Sequence, residues 1–149
     1  MAMLRFAGDE AGKEVYVLEL TNSLSNLTAI HEAFTDFAGR NKLEEKLSFQ
    51  LKLICDEIFT NIVSYAYSDN QQHIITIRFA ITEEAITVAI LDDGAPFDPL
   101  THPAPDPQLP IEERGIGGWG IQFARTMMDE VSYKRLDHEN ELTLFKRIK

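Results

Sequence analysis

The sequence has 149 residues, 44% hydrophobic and 26% charged, which is typical of one globular domain with a substantial core. Its net charge of −10 argues against non-specific nucleic-acid binding, because such binding needs lysine and arginine to neutralise phosphates. No apolar run reaches the roughly 20 residues of a membrane span, Cys55 is the only cysteine, and residues 1–10 lack a signal-peptide pattern. We therefore expect residues 1–149 to form a single cytoplasmic domain without an internal disulfide.

The first half of the chain predicts a strand followed by two helices. Residues 14–20 are rich in β-branched and aromatic side chains, which favours a strand. N-cap candidates at 21–25 precede a helical pattern that ends near Gly39, and Asn41 is expected to cap a second helix. The apolar positions of that second helix recur every three or four residues over six turns: Leu43, Leu47, Leu51, Ile54, Ile58, Ile62 and Tyr65.

The second half predicts two hairpins separated by a loop and a helix. Strands are expected at 73–81 and 85–91, after a turn at 68–70, and again at 130–136 and 141–148. Residues 94–114 predict a long loop, and residues 118–128 predict a helix. Since the strand pairs are joined by short turns, this order indicates an α+β fold. We expect a two-layer sandwich, in which helices cover one face of a mixed, mostly antiparallel sheet.

A glycine run at residues 114–121, Arg-Gly-Ile-Gly-Gly-Trp-Gly-Ile, holds four of the eight glycines in the chain. Such a run lets backbone N–H groups approach a ligand closely, and a helix starting within it would favour an anion. All six prolines lie between Pro96 and Pro110, directly before the run. A loop of this length in a compact domain is often a lid or a binding loop.

Known phosphate-binding loops fit the glycine run poorly. Gly115, Gly117 and Gly120 match the dinucleotide fingerprint, but that motif must follow a strand, and here a proline-rich loop precedes it. A P-loop would need lysine and a hydroxyl residue after Gly120, where Ile121 and Gln122 stand. The protein-kinase glycine loop lacks its partner motifs. A plain flexible turn into a helix remains an alternative on this evidence.

Two further clusters suggest nucleotide chemistry. Residues 92–98 read Asp-Asp-Gly-Ala-Pro-Phe-Asp at the end of a predicted strand, where Asp92 could accept a hydrogen bond from the adenine amine and Gly94 could face a flat ring. Glu57 and Asn61 are four residues apart on one ridge of the long helix. Glutamate can take a proton from a hydroxyl, and the asparagine oxygen suits Mg²⁺. Alone, each cluster is also compatible with an ordinary turn or a solvated helix flank.

The ordered set of motifs resembles the Bergerat-fold, histidine-kinase-like ATP-binding domain. Helix Glu-x-x-x-Asn comes first, then strand-end Asp-x-Gly-x-Pro-Phe, then a proline-rich lid at about 95–117 and Gly-x-Gly-Gly-x-Gly. Within that superfamily, the chain is most similar to the bacterial anti-sigma-factor serine/threonine kinases. The resemblance extends from about Val15 to Ile148. Tyr65 stands where many Bergerat ATPases carry histidine, which weakens a histidine-kinase interpretation.

The resemblance implies a role for each matching residue. Asn61 corresponds to the residue that coordinates Mg²⁺, the ion that bridges the ATP phosphates, and Glu57 corresponds to the catalytic base. Asp92 corresponds to the aspartate that binds adenine, with Gly94 beside the ring. The phosphate-binding end of the lid would comprise Arg114, Gly115, Gly117, Gly118 and Gly120, with the arginine neutralising charge near the γ-phosphate.

The family implies an anti-sigma factor with ATP- and Mg²⁺-dependent serine kinase activity. Its implied partners are a sigma factor or other regulator and an anti-anti-sigma protein of the STAS type, with homodimerisation common and neither nucleic acid nor membrane bound directly. Two alternatives stay open. One is a nucleotide-responsive module that binds a regulator without phosphorylating it, and the other is a stand-alone ATPase.

Overall fold

The computed structural model describes residues 2–10, 13–101 and 118–149. These residues form six strands and three α-helices, which we number in chain order: β1 Ala2–Glu10, β2 Lys13–Thr21, α1 Leu27–Arg40, α2 Glu45–Tyr65, β3 Ile74–Ile81, β4 Ala85–Asp92, α3 Gly118–Met127, β5 Glu130–Arg135 and β6 Asn140–Arg147. Short 3-10 turns lie at Leu24–Asn26 and Pro99–Thr101.

The strands form one sheet in the order β1-β2-β3-β4-β6-β5, and all five pairings of the described strands are antiparallel. Strand β4 is therefore interior, with β3 on one side and β6 on the other. The α+β fold expected from the sequence is confirmed. The sheet was expected to be mixed, with some parallel pairing. Among the described strands every neighbouring pair is antiparallel.

One face of the sheet forms the core, together with α1 and α2. Alternate residues of each strand point to this face, so the register aligns Tyr16 with Phe79, Ile77 with Ile90, and Ile90 with Leu142. Phe34 of α1 stacks on Phe79 with ring centroids 4.8 Å apart. These side chains are buried, which gives the two-layer packing its hydrophobic stabilisation.

Helix α2 confirms the predicted apolar periodicity along most of its length. Leu51, Ile54 and Ile58 are buried, and Leu47 and Ile62 pack partly buried against the core. Tyr65 is instead 59% exposed at the last residue of the helix. The apolar stripe of α2, formed by these core-facing residues, therefore contacts the core only as far as Ile62, one turn before the helix ends.

The expectation that Asn41 caps the second helix is wrong. Asn41 is the C-cap of α1, where its side-chain Nδ2 donates to the Phe37 carbonyl at 2.9 Å. Helix α2 begins four residues later, after Glu44 in extended conformation. Asparagine satisfies orphan carbonyls at a helix end as readily as orphan amides at a helix start, so its presence between two helices did not decide which one it caps.

Strand β1 was not anticipated from the sequence. It pairs with β2 from Ala2 opposite Leu20 to Glu10 opposite Lys13, with a register shift between Phe6 and Gly8. Edge strands bury little, so they need no clean apolar alternation, and a bulge breaks the pattern further. The segment therefore gave no strand signal.

No helix in the described ranges is both long enough and apolar enough to cross a lipid bilayer.

Candidate nucleotide-binding site

Asp92 is the last residue of β4, on the face of the sheet that packs against the helices. It continues the buried row formed by Ile86, Val88 and Ile90, and only 6% of it is exposed. A carboxylate at this place is costly unless hydrogen bonds satisfy it. Its surroundings therefore decide what it can bind.

A polar network holds one oxygen of the Asp92 carboxylate. Oδ1 accepts the Gly94 amide at 2.9 Å and the Asn140 side-chain amide at 3.0 Å. Asn140 also donates to the Ala95 carbonyl at 2.9 Å, and Arg135 donates to the Gly94 carbonyl at 2.9 Å. No residue of the described chain hydrogen-bonds Oδ2 of Asp92. The network fixes the carboxylate and leaves one acceptor oxygen for another group.

Burial raises the pKa of Asp92, and the neighbouring charge of Asp93 raises it further. Hydrogen bonds from Asn140 and Gly94 act in the opposite direction, as does the charge of Arg135. These opposing effects are those expected for a carboxylate that accepts hydrogen bonds in a partly desolvated position.

The end of α2 packs directly on this strand end. The Ala95 amide donates to the Ala66 carbonyl at 3.3 Å. A Cβ atom built on Gly94 would lie 2.6 Å from the Ala66 Cβ and 2.9 Å from Asp92 Oδ1. Gly94 therefore has a packing reason to be glycine, since any side chain would force α2 away from the carboxylate.

Glu57 and Asn61 lie on the same α2 helix, half-buried beside the apolar stripe. They are one turn apart, so their side chains share one face. Glu57 is nine residues before Ala66, which at the helical rise places it about 14 Å along the axis from the Asp92 end. One helix therefore borders both the Asp92 end and the Glu57 end of this stretch.

Helix α3 meets α2 at the other end of this stretch. Gly118 begins α3, and Gly120 is buried against Glu57, where an added Cβ would lie 2.7 Å from the Glu57 Cβ. Three of the expected lid residues, Arg114, Gly115 and Gly117, lie outside the described residues. The structure thus brings Gly120 to Glu57 and brings Gly94 to Asp92, with Asn61 between the two contacts on α2.

A histidine clamp lies beside the strand end. His73 Nε2 is 2.8 Å from Asp69 Oδ2, and Nδ1 is 3.1 Å from Asp93 Oδ1. Its ring stacks on Tyr67 with centroids 4.0 Å apart. The hydrogen bond with Asp69 raises the pKa of His73, and in return His73 lowers the pKa of Asp69. The clamp ties the segment after α2 to the residue next to Asp92.

Asn140 and Arg135 were not identified from the sequence. Asn140 lies opposite Asp92 in the register of β4 and β6. A signal was present, because Asn140 alternates with the apolar Leu142 and Leu144 and so occupies a core-facing position of a strand. A polar residue in such a row indicates a buried partner, although only the strand register identifies that partner as Asp92.

Comparison with known proteins places most of the chain in one group. Residues 20–146 match the model of the histidine kinase-like ATPase domain. Serine/threonine-protein kinase BtrW of Bordetella bronchiseptica is 31% identical over 127 residues, covering 85% of this chain and 89% of that protein.

Two further relatives match over a shorter stretch. Serine-protein kinase RsbW of Oceanobacillus iheyensis is 37% identical over 86 residues, which cover 54% of each chain. RsbW of Bacillus subtilis is 31% identical over 90 residues, which cover 54% of this chain and 53% of that protein. The matched stretch thus spans about half the length of these two relatives.

Proposed function

Because this chain belongs to the histidine kinase-like ATPase domain family, we propose that it is an ATP-dependent protein serine kinase that acts as an anti-sigma factor. It would bind a sigma factor or similar regulator and would phosphorylate a serine of a STAS-type anti-anti-sigma protein. The phosphorylation state of that protein would then determine which of the two partners this chain binds. The family resemblance stated from the sequence is confirmed. The names of the BtrW and RsbW relatives, both protein kinases, support the activity.

The observation that carries ATP binding is the half-satisfied carboxylate of Asp92. Asn140 and Gly94 hold Oδ1, while Oδ2 accepts no hydrogen bond from the described residues. The exocyclic amine of adenine is a donor of the kind this oxygen lacks. An acceptor oxygen that is held in place gains specificity, because a base without that amine could not form this hydrogen bond.

Glu57 is proposed as the base that takes the proton from the acceptor serine, and Asn61 as a magnesium ligand. Mg²⁺ keeps several waters and phosphate oxygens and takes few protein ligands, so a single amide oxygen on a helix fits this mode of binding. The described residues include no cluster of three histidine, cysteine or acidic side chains that could hold a metal alone. The ion would neutralise charge on the transferring phosphoryl group when bound.

The start of α3 is proposed to receive the phosphates. Its first amides, from Gly118 onward, are unpaired within the helix and carry the positive end of the helix dipole. Arg114, Gly115 and Gly117 would add a guanidinium and further backbone amides. The backbone amide of Gly120 is proposed to contact the phosphates as well. Catalysis by such a site consists mostly of positioning and electrostatics.

The decisive experiment is phosphotransfer from labelled ATP to candidate STAS-domain proteins, read by mass spectrometry. We expect Glu57→Gln to bind ATP with nearly unchanged affinity and to lose phosphotransfer, because the neutral amide cannot accept the proton. Glu45→Gln, at the exposed first turn of the same helix, is the matched control and should transfer phosphate like the wild type. Retained transfer by Glu57→Gln would exclude the proposed base.

The same assay separates the alternatives. A wild-type protein that binds ATP but labels no acceptor would be the non-catalytic regulator-binding module. Steady phosphate release without a protein acceptor would indicate a stand-alone ATPase. Gel filtration with and without ATP would measure whether the proposed homodimer forms.

A further inference from the structure

Gly120 is the third residue of α3 and is buried against α2. A Cβ atom at this position would lie 2.7 Å from the Cβ of Glu57, and 3.6 Å from both the Glu57 carbonyl carbon and the Ile58 nitrogen. Real Cβ atoms essentially never approach closer than 3.0 Å. The two helices therefore approach at Glu57 to a distance that only glycine permits.

The atom that Gly120 faces has no freedom to move aside. A Cβ atom is fixed by its own backbone, so rotating the Glu57 side chain cannot relieve an overlap there. A methyl group at residue 120 must instead shift one helix against the other. Glycine within a helix costs about 1 kcal/mol relative to alanine, which makes close approach the compensating reason for glycine here.

Gly39 of α1 provides a comparison within the same chain. It is also helical, but a Cβ built on it would meet nothing within 4 Å. The two glycines therefore separate the effect of close helix packing from the general effect of glycine on a helix.

We infer that Gly120 is a positioning residue for Glu57: its lack of a side chain lets the start of α3 fix where the Glu57 carboxylate stands. The inference rests on the proposed function, in which Glu57 receives the serine proton. It gives Gly120 a second role beside the phosphate contact proposed for its backbone amide, which alanine would keep, because the side of Gly120 that a Cβ would occupy faces Glu57 on α2.

The contact is tested first by stability, without any activity. Gly120→Ala should lower the Tm in the wild-type background and equally in Glu57→Ala, which keeps the Cβ atom. In Glu57→Gly the opposing atom is gone, so the Tm loss caused by Gly120→Ala should shrink to about half or less, as expected for coupled neighbours. Gly39→Ala is the control and should not lower the Tm.

Equal Tm losses in all three backgrounds would overturn the contact. Should Gly120→Ala alone fail to fold, the comparison of Glu57→Gly with the double variant Glu57→Gly/Gly120→Ala still decides. A double variant that folds supports the inference, and one that stays unfolded while Glu57→Gly folds overturns it.

The positioning role is tested by comparing ATP affinity with phosphotransfer. Misplacing a catalytic group by about 1 Å can cost on the order of 100-fold in rate. We expect Gly120→Ala to slow phosphotransfer at least about tenfold while the Kd for ATP changes by less than about threefold. An equal loss in both quantities would assign Gly120 to nucleotide binding and overturn positioning.

Loss of the helix contact and absence of kinase activity would give different results in these experiments. Absence of phosphotransfer by the wild-type protein would remove the proposed function, and with it the catalytic meaning of the contact. The stability comparison would still measure the contact between Gly120 and Glu57.

Discussion

Asn140 donates its side-chain amide to the same Asp92 oxygen that accepts the Gly94 amide. The two side chains stand opposite each other on β6 and β4, at the end of the buried rows of the sheet. The carboxylate is thereby oriented by an interior strand pair and not by a loop alone. Its second oxygen accepts no hydrogen bond from the described residues.

We expect Asp92→Asn to reverse the preference of the pocket for the base. The amide oxygen can keep both bonds that Oδ1 accepts, so the free position becomes an NH₂ donor. The Kd for ATP should rise at least about tenfold, a loss of about 1.4 kcal/mol. The Kd for inosine triphosphate, whose base carries an acceptor in place of the amine, should rise by a smaller factor. Calorimetric titration with both nucleotides measures this, and parallel losses would count against the adenine contact.

Asn140→Ala should destabilise the fold and weaken ATP binding together. Removal of the amide leaves a buried carboxylate oxygen with only the Gly94 amide and leaves the Ala95 carbonyl without this donor. Such losses cost about 1–3 kcal/mol of unfolding free energy. Urea denaturation of the variant, with exposed Ser132→Ala of β5 as the control, measures the loss. A change no larger than that of the control would contradict the network.

Gly94→Ala should be among the more damaging single substitutions near the site. The new methyl group would overlap the Ala66 Cβ, the Ala66 carbonyl oxygen at 2.7 Å and Asp92 Oδ1. Overpacking of this kind costs about 1–3 kcal/mol. Gly39→Ala, which has open space, should be neutral or stabilising. Thermal melts of both variants test the contrast, which similar Tm shifts for the two would refute.

The histidine clamp predicts a pH-dependent contribution to stability. The pKa of His73 is raised from its ordinary 6.5, mainly by Asp69, so its contribution is complete below pH 6.5 and is lost as pH rises through the folded-state pKa. The pKa of Asp69 is lowered from 3.8, so its contribution is complete above pH 3.8 and is lost as pH falls through the folded-state value.

Melting curves across pH check this prediction. Besides Asp69, His73 faces Asp93 and the Tyr67 ring, and Glu139 lines the same surface depression of about 390 Å³. The Tm difference between wild type and His73→Gln should be largest between about pH 4 and 6.5 and shrink above that range. The exposed His138→Gln is the control, and a difference that does not vary with pH would contradict the clamp.

Local periodicity in the sequence was sufficient for most elements of the fold. Six turns of apolar spacing predicted α2, and alternation predicted β3, β4 and β6 within one or two residues. Strand β1 was not predicted, because an edge strand needs no buried face and so no regular apolar alternation. Asn41 was assigned to the wrong helix because capping depends on which backbone groups it meets, not on its identity.

In the candidate site too, some residues could be identified from the sequence, whereas some contacts could not. Asp92, Glu57 and Asn61 stand in recognisable motifs, so sequence was enough to single them out, and their functional roles stay proposals. The hydrogen bond from Asn140 depends on strand register across 48 residues, and the approach of Gly120 to Glu57 depends on the distance between two helices. Such distances arise from tertiary packing, which no local pattern encodes.

The interior place of β4 also bears on how this protein would release a nucleotide. A strand paired on both sides opens only when its neighbours open, so its amides should exchange with deuterium at rates close to those of global unfolding. The Asp92 carboxylate, in its proposed adenine-binding role, would then keep its position through every turnover. Exchange of ADP for ATP would then proceed by motion of other parts of the proposed site, and the adenine end would act as a fixed anchor from one cycle to the next.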